Sequence, residues 1–182
     1  MENLLQIAVI LFFVFLNGFF VAAEFAIVKV RVSQIEQRVK QGGFTARVAK
    51  RILDNLDAYL SACQVGITFA SLALGWIGEP FIASRLEPLF VKMGIQSEAI
   101  IHSFAFAFAF GIITYLHIVV GEMAPKSLSI RLAEKTTLWI AVPLDIFYKV
   151  FRPFIAILNH SALVLIRLLG INPATESEMA HS

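Results

Sequence analysis

Two carboxylates lie inside apolar stretches of this 182-residue chain, Glu24 and Glu122. Neither has a lysine or arginine beside it within its apolar run, so its charge would be costly in lipid unless another group compensates. Glu122 follows Gly121 and precedes Pro125 by three positions, in the stretch HIVVGEMAPKSLSI (residues 117–130). An acid in this setting favours an ion-binding site over a structural role.

Pro125 suggests why the acid is placed there. Proline has no N–H, so the carbonyl of Gly121, four residues earlier, should lose its helical partner. Ala124, which precedes the proline, should leave the helical region. We therefore expect a broken helix with a free carbonyl beside a carboxylate, at the negative end of the helix dipole. Hard oxygens without soft ligands favour Mg²⁺, Na⁺ or Ca²⁺ over zinc or copper.

A second apolar segment supplies neutral oxygens at helical spacing. Its polar residues are three, four and three positions apart, which places them on one helical face: Ser61, Gln64, Thr68 and Ser71. Asn17 lies two turns before Glu24. Serine and asparagine in membrane helices are most often interhelical hydrogen-bond partners, and for Ser61 and Asn17 that reading is favoured.

Other polar residues have structural alternatives. Glu24 could reach the headgroup boundary and pair with Lys29. His102 and His117 have no partner at ligand spacing and are interpreted as packing or interface residues. Lys126 is interpreted as an interfacial anchor rather than a ligand.

The composition indicates the bilayer as the solvent for these groups. Hydrophobic residues make up 58% of the chain, charged residues 15%, and the mean hydropathy is +0.78. The net charge of +2 does not suggest a nucleic-acid partner. Three segments have the length of a membrane span, roughly 4–28, 59–78 and 99–122. The third contains SFAFAFAFG, which we predict to be helical because an open strand in lipid would leave its backbone unpaired.

The distribution of cations predicts the orientation. Seven lysines and arginines lie between the first two segments and only two between the second and third, which predicts a cytoplasmic 29–57 connection, an external N-terminus and a cytoplasmic C-terminus. Residues 31–57 should form two short amphipathic helices on the inner surface, separated at Gly42-Gly43.

The rest of the chain is apolar but interrupted. Prolines and charges in 127–170 favour broken amphipathic helices in the inner interface over a fourth span, which stays the alternative. We therefore predict an all-α membrane protein: a transmembrane domain with juxtamembrane helices over 1–170, and the start of a linker to a cytosolic region at 171–182.

Three ordered motifs give the chain a family resemblance. NGFFVAAEFAIVKVR (17–31), YLSACQVGITFASLALGWIGEP (59–80) and HIVVGEMAPKSLSI (117–130) resemble the transmembrane domain of the CorC/CNNM family of magnesium transporters. The resemblance implies three transmembrane helices with a belt of interfacial helices, a homodimer, and Mg²⁺ efflux coupled to Na⁺ entry. It also implies a cytosolic pair of CBS modules that binds ATP and is absent from this chain.

The resemblance implies a metal site as well. In the family, magnesium lies between the helices, held by small polar side chains, main-chain oxygens and the glutamate of the G-E-x-x-P-K motif, here Gly121, Glu122, Pro125 and Lys126. Val21 stands where many members have serine, so main-chain oxygens near it are the expected substitute. Where many members have G-N-x-x-x-N, this chain has Gly66, Ile67 and Ser71, and the expected second-helix ligands are Thr68, Ser71, the Gly66 carbonyl and Gln64. Glu24 completes the candidate set.

These expectations lead to one functional hypothesis and one rival. The hypothesis is Mg²⁺ transport through a homodimer in the inner cell membrane, with Na⁺ as counter-ion. The rival is a Mg²⁺-binding membrane anchor that regulates other transporters. We predict no enzyme activity, because the chain has neither an HExxH motif nor paired membrane aspartates.

Overall fold

The computed structural model describes residues 2–95 and 97–169. This part of the chain is helical and contains no β-strand, which confirms the predicted all-α class. The predicted linker at 171–182 lies outside the described residues. The elements are α1 (Glu2–Lys29), α2 (Val32–Lys40), α3 (Phe44–Asp54), α4 (Leu56–Lys92), α5 (Glu98–Ile118), a π-helical turn (Val119–Met123), α6 (Ala124–Arg131) and α7 (Ala133–Leu168).

Three helical segments are long and apolar enough to cross a membrane, as predicted: Asn3–Lys29, Leu56–Lys92 and Glu98–Arg131. The third combines α5, the π turn and α6. α1 packs along α4 on one side and against the π turn and α6 on another, while α5 packs mainly on α4. The predicted intramembrane polar residues therefore lie on helices that contact one another.

α4 is much longer than the predicted 59–78 segment. It has 37 residues and continues through Pro80 and Pro88 to Lys92. Proline removes one helical hydrogen bond, but here the helix beyond it packs against α5, where Ala83 and Phe90 form a buried cluster with α5 residues. Apolar packing over these turns compensates for the missing bond, so the helix does not end at the first proline.

α5 explains the alternating phenylalanines and alanines. Ala105 and Ala109, one helical turn apart, are fully buried, whereas Phe106 and Phe110 are about half exposed. The small residues let α5 approach α4 closely, and the rings face outward where lipid would be. The prediction of a helix over a strand is confirmed.

The two short helices after α1 are amphipathic, as predicted. Ile35 of α2 is fully buried, and α3 buries Val48, Ala49 and Ile52 in a core shared with α1, α4 and α7. The predicted break between them lies at Gly42, whose positive φ of 88° favours glycine.

The prediction of broken helices after residue 127 is wrong for most of that region. α7 is one continuous helix of 36 residues, roughly 54 Å long, with Pro143 and Pro153 inside it. Its first half is held in place by packing, because Ile140, Ala141 and Leu144 are fully buried in a core shared with α1, α3 and α4. α7 is not among the helices of the described chain that qualify as membrane spans.

Candidate functional site

The centre of the candidate site is a hydrogen bond between two spans. Asn17 of α1 is only 1% exposed, and its Nδ2 donates to the carbonyl oxygen of Gly121 at 2.8 Å. Gly121 belongs to the π turn and is itself buried. The carbonyl predicted to lack a helical partner is therefore bound by a side chain from another span.

The hydrogen bond continues into a chain across three spans. Ser71 Oγ of α4 lies 3.1 Å from Asn17 Oδ1 and 3.0 Å from His117 Nε2 of α5. A hydroxyl has one hydrogen, so if Ser71 donates it to Asn17, His117 must donate to Ser71. The resulting direction runs from His117 through Ser71 and Asn17 to Gly121. We call these four residues the polar cluster.

The π turn shows how the chain accommodates Pro125. The Ala124 N–H donates to the carbonyl of Val119, five residues back, instead of four. A widened turn moves the preceding carbonyls away from the proline ring, which would clash with the carbonyl four residues before it in a regular α-helix. The prediction that Ala124 leaves the helical region is wrong, because its φ and ψ are −68° and −49°. The helix is widened rather than broken.

Glycines allow α1 and the π turn to approach each other. A Cβ atom at Gly18 would lie 3.0 Å from Cγ of Pro125, and one at Gly121 would lie 3.1 Å from Nδ2 of Asn17. Both distances are tighter than ordinary van der Waals contact. The short Asn17–Gly121 hydrogen bond therefore depends on the absence of side chains at these two positions.

Glu122 adjoins the polar cluster, and Glu24 lies about two helical turns after Asn17 on α1. Glu122 follows Gly121 in the π turn, and its side chain is exposed on the single chain. Glu24 is partly buried, and the charges of both Lys126 and Glu122 act on it. The Lys126 ammonium lies 4.4 Å from the centre of the Phe25 ring. Glu24, Glu122 and Lys126 thus lie near one another, and Glu122 is joined to the cluster through Gly121.

The remaining predicted ligands occupy other positions. Gln64 and Thr68 are exposed on α4, and the Thr68 hydroxyl donates to the Gln64 carbonyl of its own helix at 2.8 Å. Gly66 is buried under the Phe20 ring, which leaves no room for a Cβ. Val21 is 3% exposed. No hydrogen bond among the described residues joins Gln64 or Thr68 to the polar cluster.

Two cluster residues carried a structural interpretation at the sequence level. The prediction that Asn17 is a hydrogen-bond partner between helices is confirmed, and its partner is the carbonyl beside Glu122. His117 is predicted to be a packing or interface residue, and its Nε2 lies 3.0 Å from Ser71 Oγ. Its position one helical turn before Gly121 could have revealed it, because that spacing puts both on the same face.

A cleft between α4 and α5 leads to the cluster. Its volume is about 360 Å³, and its polar lining comes from Ser71, Glu79, Thr114 and His117. Glu79 lies eight residues after Ser71, or about 12 Å along α4, toward the end of the bundle opposite α2 and α3. The predicted second span ends at residue 78, so Glu79 lies outside the predicted set of intramembrane polar residues.

A separate ion-pair cluster joins α3, α4 and α7. Asp145 of α7 accepts hydrogen bonds from Tyr59 at 2.6 Å and Lys149 at 2.7 Å, and Arg51 of α3 lies 3.4 Å away. Burial alone would raise the pKa of Asp145, but these hydrogen bonds and positive charges hold it below its usual value. The cluster fixes α7 to α3 and α4.

The described residues contain no group of three or more His, Cys, Asp or Glu side chains placed to hold a metal. A cation at the polar cluster would therefore depend on neutral oxygens, namely the Gly121 carbonyl, the Asn17 amide and the Ser71 hydroxyl, with a carboxylate nearby. Such hard oxygens suit a small divalent cation that keeps part of its water shell.

Three membrane-spanning helices that meet at buried polar groups define a multi-pass membrane protein. The chain belongs to the CNNM family: residues 8–182 match the cyclin M transmembrane N-terminal domain. The family resemblance inferred from the three motifs is thus confirmed.

Relatives of known sequence cover nearly all of this chain. It is 48% identical to the UPF0053 protein YugS and 49% identical to the UPF0053 protein YhdT, both of Bacillus subtilis, over 98% and 92% of its length. It is 34% identical over its whole length to the uncharacterized protein Rv1841c of Mycobacterium tuberculosis. The chain spans only 42%, 36% and 51% of these three proteins, respectively.

Proposed function

We propose that this chain is the membrane domain of a magnesium transporter that exports Mg²⁺, with Na⁺ entry as the driving reaction. The observation that carries the proposal is the buried carbonyl of Gly121, held by Asn17 at the crossing of three spans and placed one residue before Glu122. The family is generally associated with divalent-cation transport, which supports this reading.

The polar cluster supports reversible binding because its groups satisfy one another without an ion. Asn17 donates to Gly121 and accepts from Ser71, so no cluster oxygen is stranded in the empty state. A Mg²⁺ ion would replace these hydrogen bonds with ion–oxygen contacts, and Glu122 would supply the compensating charge. A site that is stable both empty and occupied is what alternating access requires.

The remaining parts of the proposal concern the assembly. We place the protein in the inner cell membrane as a homodimer in contact with lipid, with the N-terminus outside and the basic 29–57 connection in the cytoplasm. ATP would act only through a cytosolic region outside this chain. The protein catalyses no covalent reaction in this proposal.

Flux through purified protein tests the proposal. Proteoliposomes loaded with a Mg²⁺-sensitive dye should show protein-dependent Mg²⁺ movement that responds to an opposing Na⁺ gradient. Glu122→Gln should abolish this flux, while Glu98→Gln, an acid-to-amide change at the start of α5, should leave it intact.

The rival function makes a different prediction in the same assay. A membrane anchor that regulates other transporters would also bind Mg²⁺ in detergent solution, and its Glu122→Gln variant would lose this binding. The wild-type protein, however, would move no Mg²⁺ into or out of liposomes. Binding without flux would thus contradict transport and favour the regulator.

A further inference from the structure

A second polar cavity lies at the end of the bundle that carries α2 and α3. Its volume is about 500 Å³, and it lies between the link from α1 to α2 and the link from α6 to α7. Lys29 at the end of α1 and Arg31 of the first link line it on one side, and Arg131 at the end of α6 and Lys135 near the start of α7 line it on the other. We call it the basic cavity.

The charges in this cavity are not balanced within the described chain. Glu134 is its only acidic lining residue, and that carboxylate is already paired with Arg38 at 2.7 Å. None of the four cavity cations forms an ion pair with a described carboxylate. Outside the cavity, Lys50, Arg51 and Lys149 have such partners, whereas Lys40 and Arg47 have none among the described carboxylates.

Helix ends of both polarities lie at the cavity. α2 begins at Val32 and α7 at Ala133, where helix dipoles are positive, but α1 ends at Lys29 and α6 at Arg131, where they are negative. The positive potential therefore comes from the four side-chain cations, which attract a compact anion.

The level of the cavity along the membrane spans indicates which anions are nearby. Lys29 is the last residue of the first span, and Arg131 is the last residue of the third. The cavity therefore lies where both spans leave the apolar layer, which is the level of the lipid headgroups. Clusters of lysine and arginine at this level are favourable sites for the phosphate groups of anionic lipids.

We propose that the basic cavity binds a phosphate group, carried either by an anionic phospholipid or by a soluble phosphate compound. The bound phosphate joins the α1–α2 link to the α6–α7 link. The first link follows α1, which carries Glu24, and the second follows α6, which continues from the π turn of Glu122, so the anion would brace the helices that lead to the candidate cation site. This inference does not depend on transport or on the identity of the cation.

Binding can be tested on the purified chain in detergent, in buffer with EDTA so that no divalent cation bridges the phosphate. Phosphatidylglycerol, phosphatidylcholine and pyrophosphate are added separately, and two readouts are taken: lipid retained in native mass spectrometry and the midpoint of thermal unfolding. The cavity variant is Arg31→Gln/Arg131→Gln. The matched control is Lys40→Gln/Arg47→Gln, which removes the same charge from exposed positions of α2 and α3.

We expect phosphatidylglycerol to be retained and to raise the unfolding midpoint more than phosphatidylcholine. The preference should disappear in the cavity variant, persist in the control, and return with Arg31→Lys/Arg131→Lys. Pyrophosphate protection with the same dependence on variants would support the site and assign it to a soluble phosphate. The proposal is overturned if wild-type protein prefers neither phosphate source, or if the cavity and control variants lose the preference equally.

Discussion

Asn17 offers the sharpest test of the polar cluster. Asn17→Leu keeps a side chain of similar size but removes both the donor to Gly121 and the acceptor for Ser71. The Gly121 carbonyl cannot regain a partner four residues ahead, because that residue is Pro125. The Ser71 hydroxyl can turn to a carbonyl of its own helix, as the hydroxyl of Ser61 does at 3.0 Å, and should cost little.

The expected loss of stability is therefore close to that of one stranded carbonyl. Leaving a buried polar group unpaired costs about 1–3 kcal/mol. Side-chain hydrogen bonds within membrane helices average roughly 0.6 kcal/mol with a maximum near 1.7. Since the Gly121 oxygen is buried and has no alternative donor at position 125, we expect Asn17→Leu to cost about 1–2 kcal/mol in the absence of ions.

A second substitution at the same position should respond to Mg²⁺ differently from Asn17→Leu. Asn17→Asp also loses the donor to Gly121, so the ion-free protein should be destabilised. The new carboxylate, however, adds negative charge to the proposed cation site. Mg²⁺ should then raise the unfolding midpoint of Asn17→Asp more than that of wild type, and should barely move that of Asn17→Leu.

The midpoint of thermal unfolding in detergent is measured with and without Mg²⁺ for wild type, Asn17→Leu and Asn17→Asp. Ser103→Ala is the control, because its hydroxyl contacts only its own helix, at the Ala99 carbonyl. It should keep the wild-type response. Wild-type stability and a wild-type Mg²⁺ shift in well-folded Asn17→Leu would refute the role of the cluster.

Four further outcomes are expected. Pro125→Ala should stay folded but bind Mg²⁺ about 5- to 150-fold more weakly in calorimetry, because a new N–H competes for the cluster carbonyl at a cost of about 1–3 kcal/mol; unchanged affinity would contradict this. Mg²⁺ should protect wild-type protein against heating more than Ca²⁺ does, and equal protection would count against a magnesium site. The pKa of Asp145 is lowered in the folded protein, so the ionised side chain contributes fully to the free energy of unfolding above its unfolded pKa of about 3.9. This contribution is lost as the pH falls through the folded pKa. Wild type should thus lose its stability advantage over Asp145→Asn on acidification, and parallel pH profiles would refute the ion pair's role. In a background without the native cysteine, Gln41→Cys should be labelled only from inside and Met93→Cys only from outside; the reverse pattern would overturn the orientation.

The parts of the fold that sequence predicted are those set by local periodicity and length. The three spans and the amphipathic α2 and α3 follow from apolar spacing, and the turn at Gly42 follows from glycine chemistry. The extents of α4 and α7 could not be predicted in this way, because Pro80 and Pro143 locally signal a break. Both helices continue because residues distant in sequence pack against them.

The candidate site shows the same division. Gly121 and Ser71 could be named from sequence, because a proline and a helical face point to them. The roles of Asn17 and His117 depend on which side chain the chain brings to a particular oxygen, and a polar residue in an apolar run does not specify its partner. The π turn could not be predicted for a related reason. A proline indicates that a helical hydrogen bond is lost, but it does not specify whether the helix breaks or widens there.

The most direct test of the central claim is anomalous scattering from Mn²⁺, used as a magnesium surrogate in crystals of this chain. We expect a peak within about 2.0–2.5 Å of the Gly121 carbonyl oxygen, with Asn17 or Ser71 and the Glu122 carboxylate as further neighbours. The peak should vanish in Glu122→Gln. A well-ordered peak at Glu79 or in the basic cavity, with none at the polar cluster, would contradict the claim.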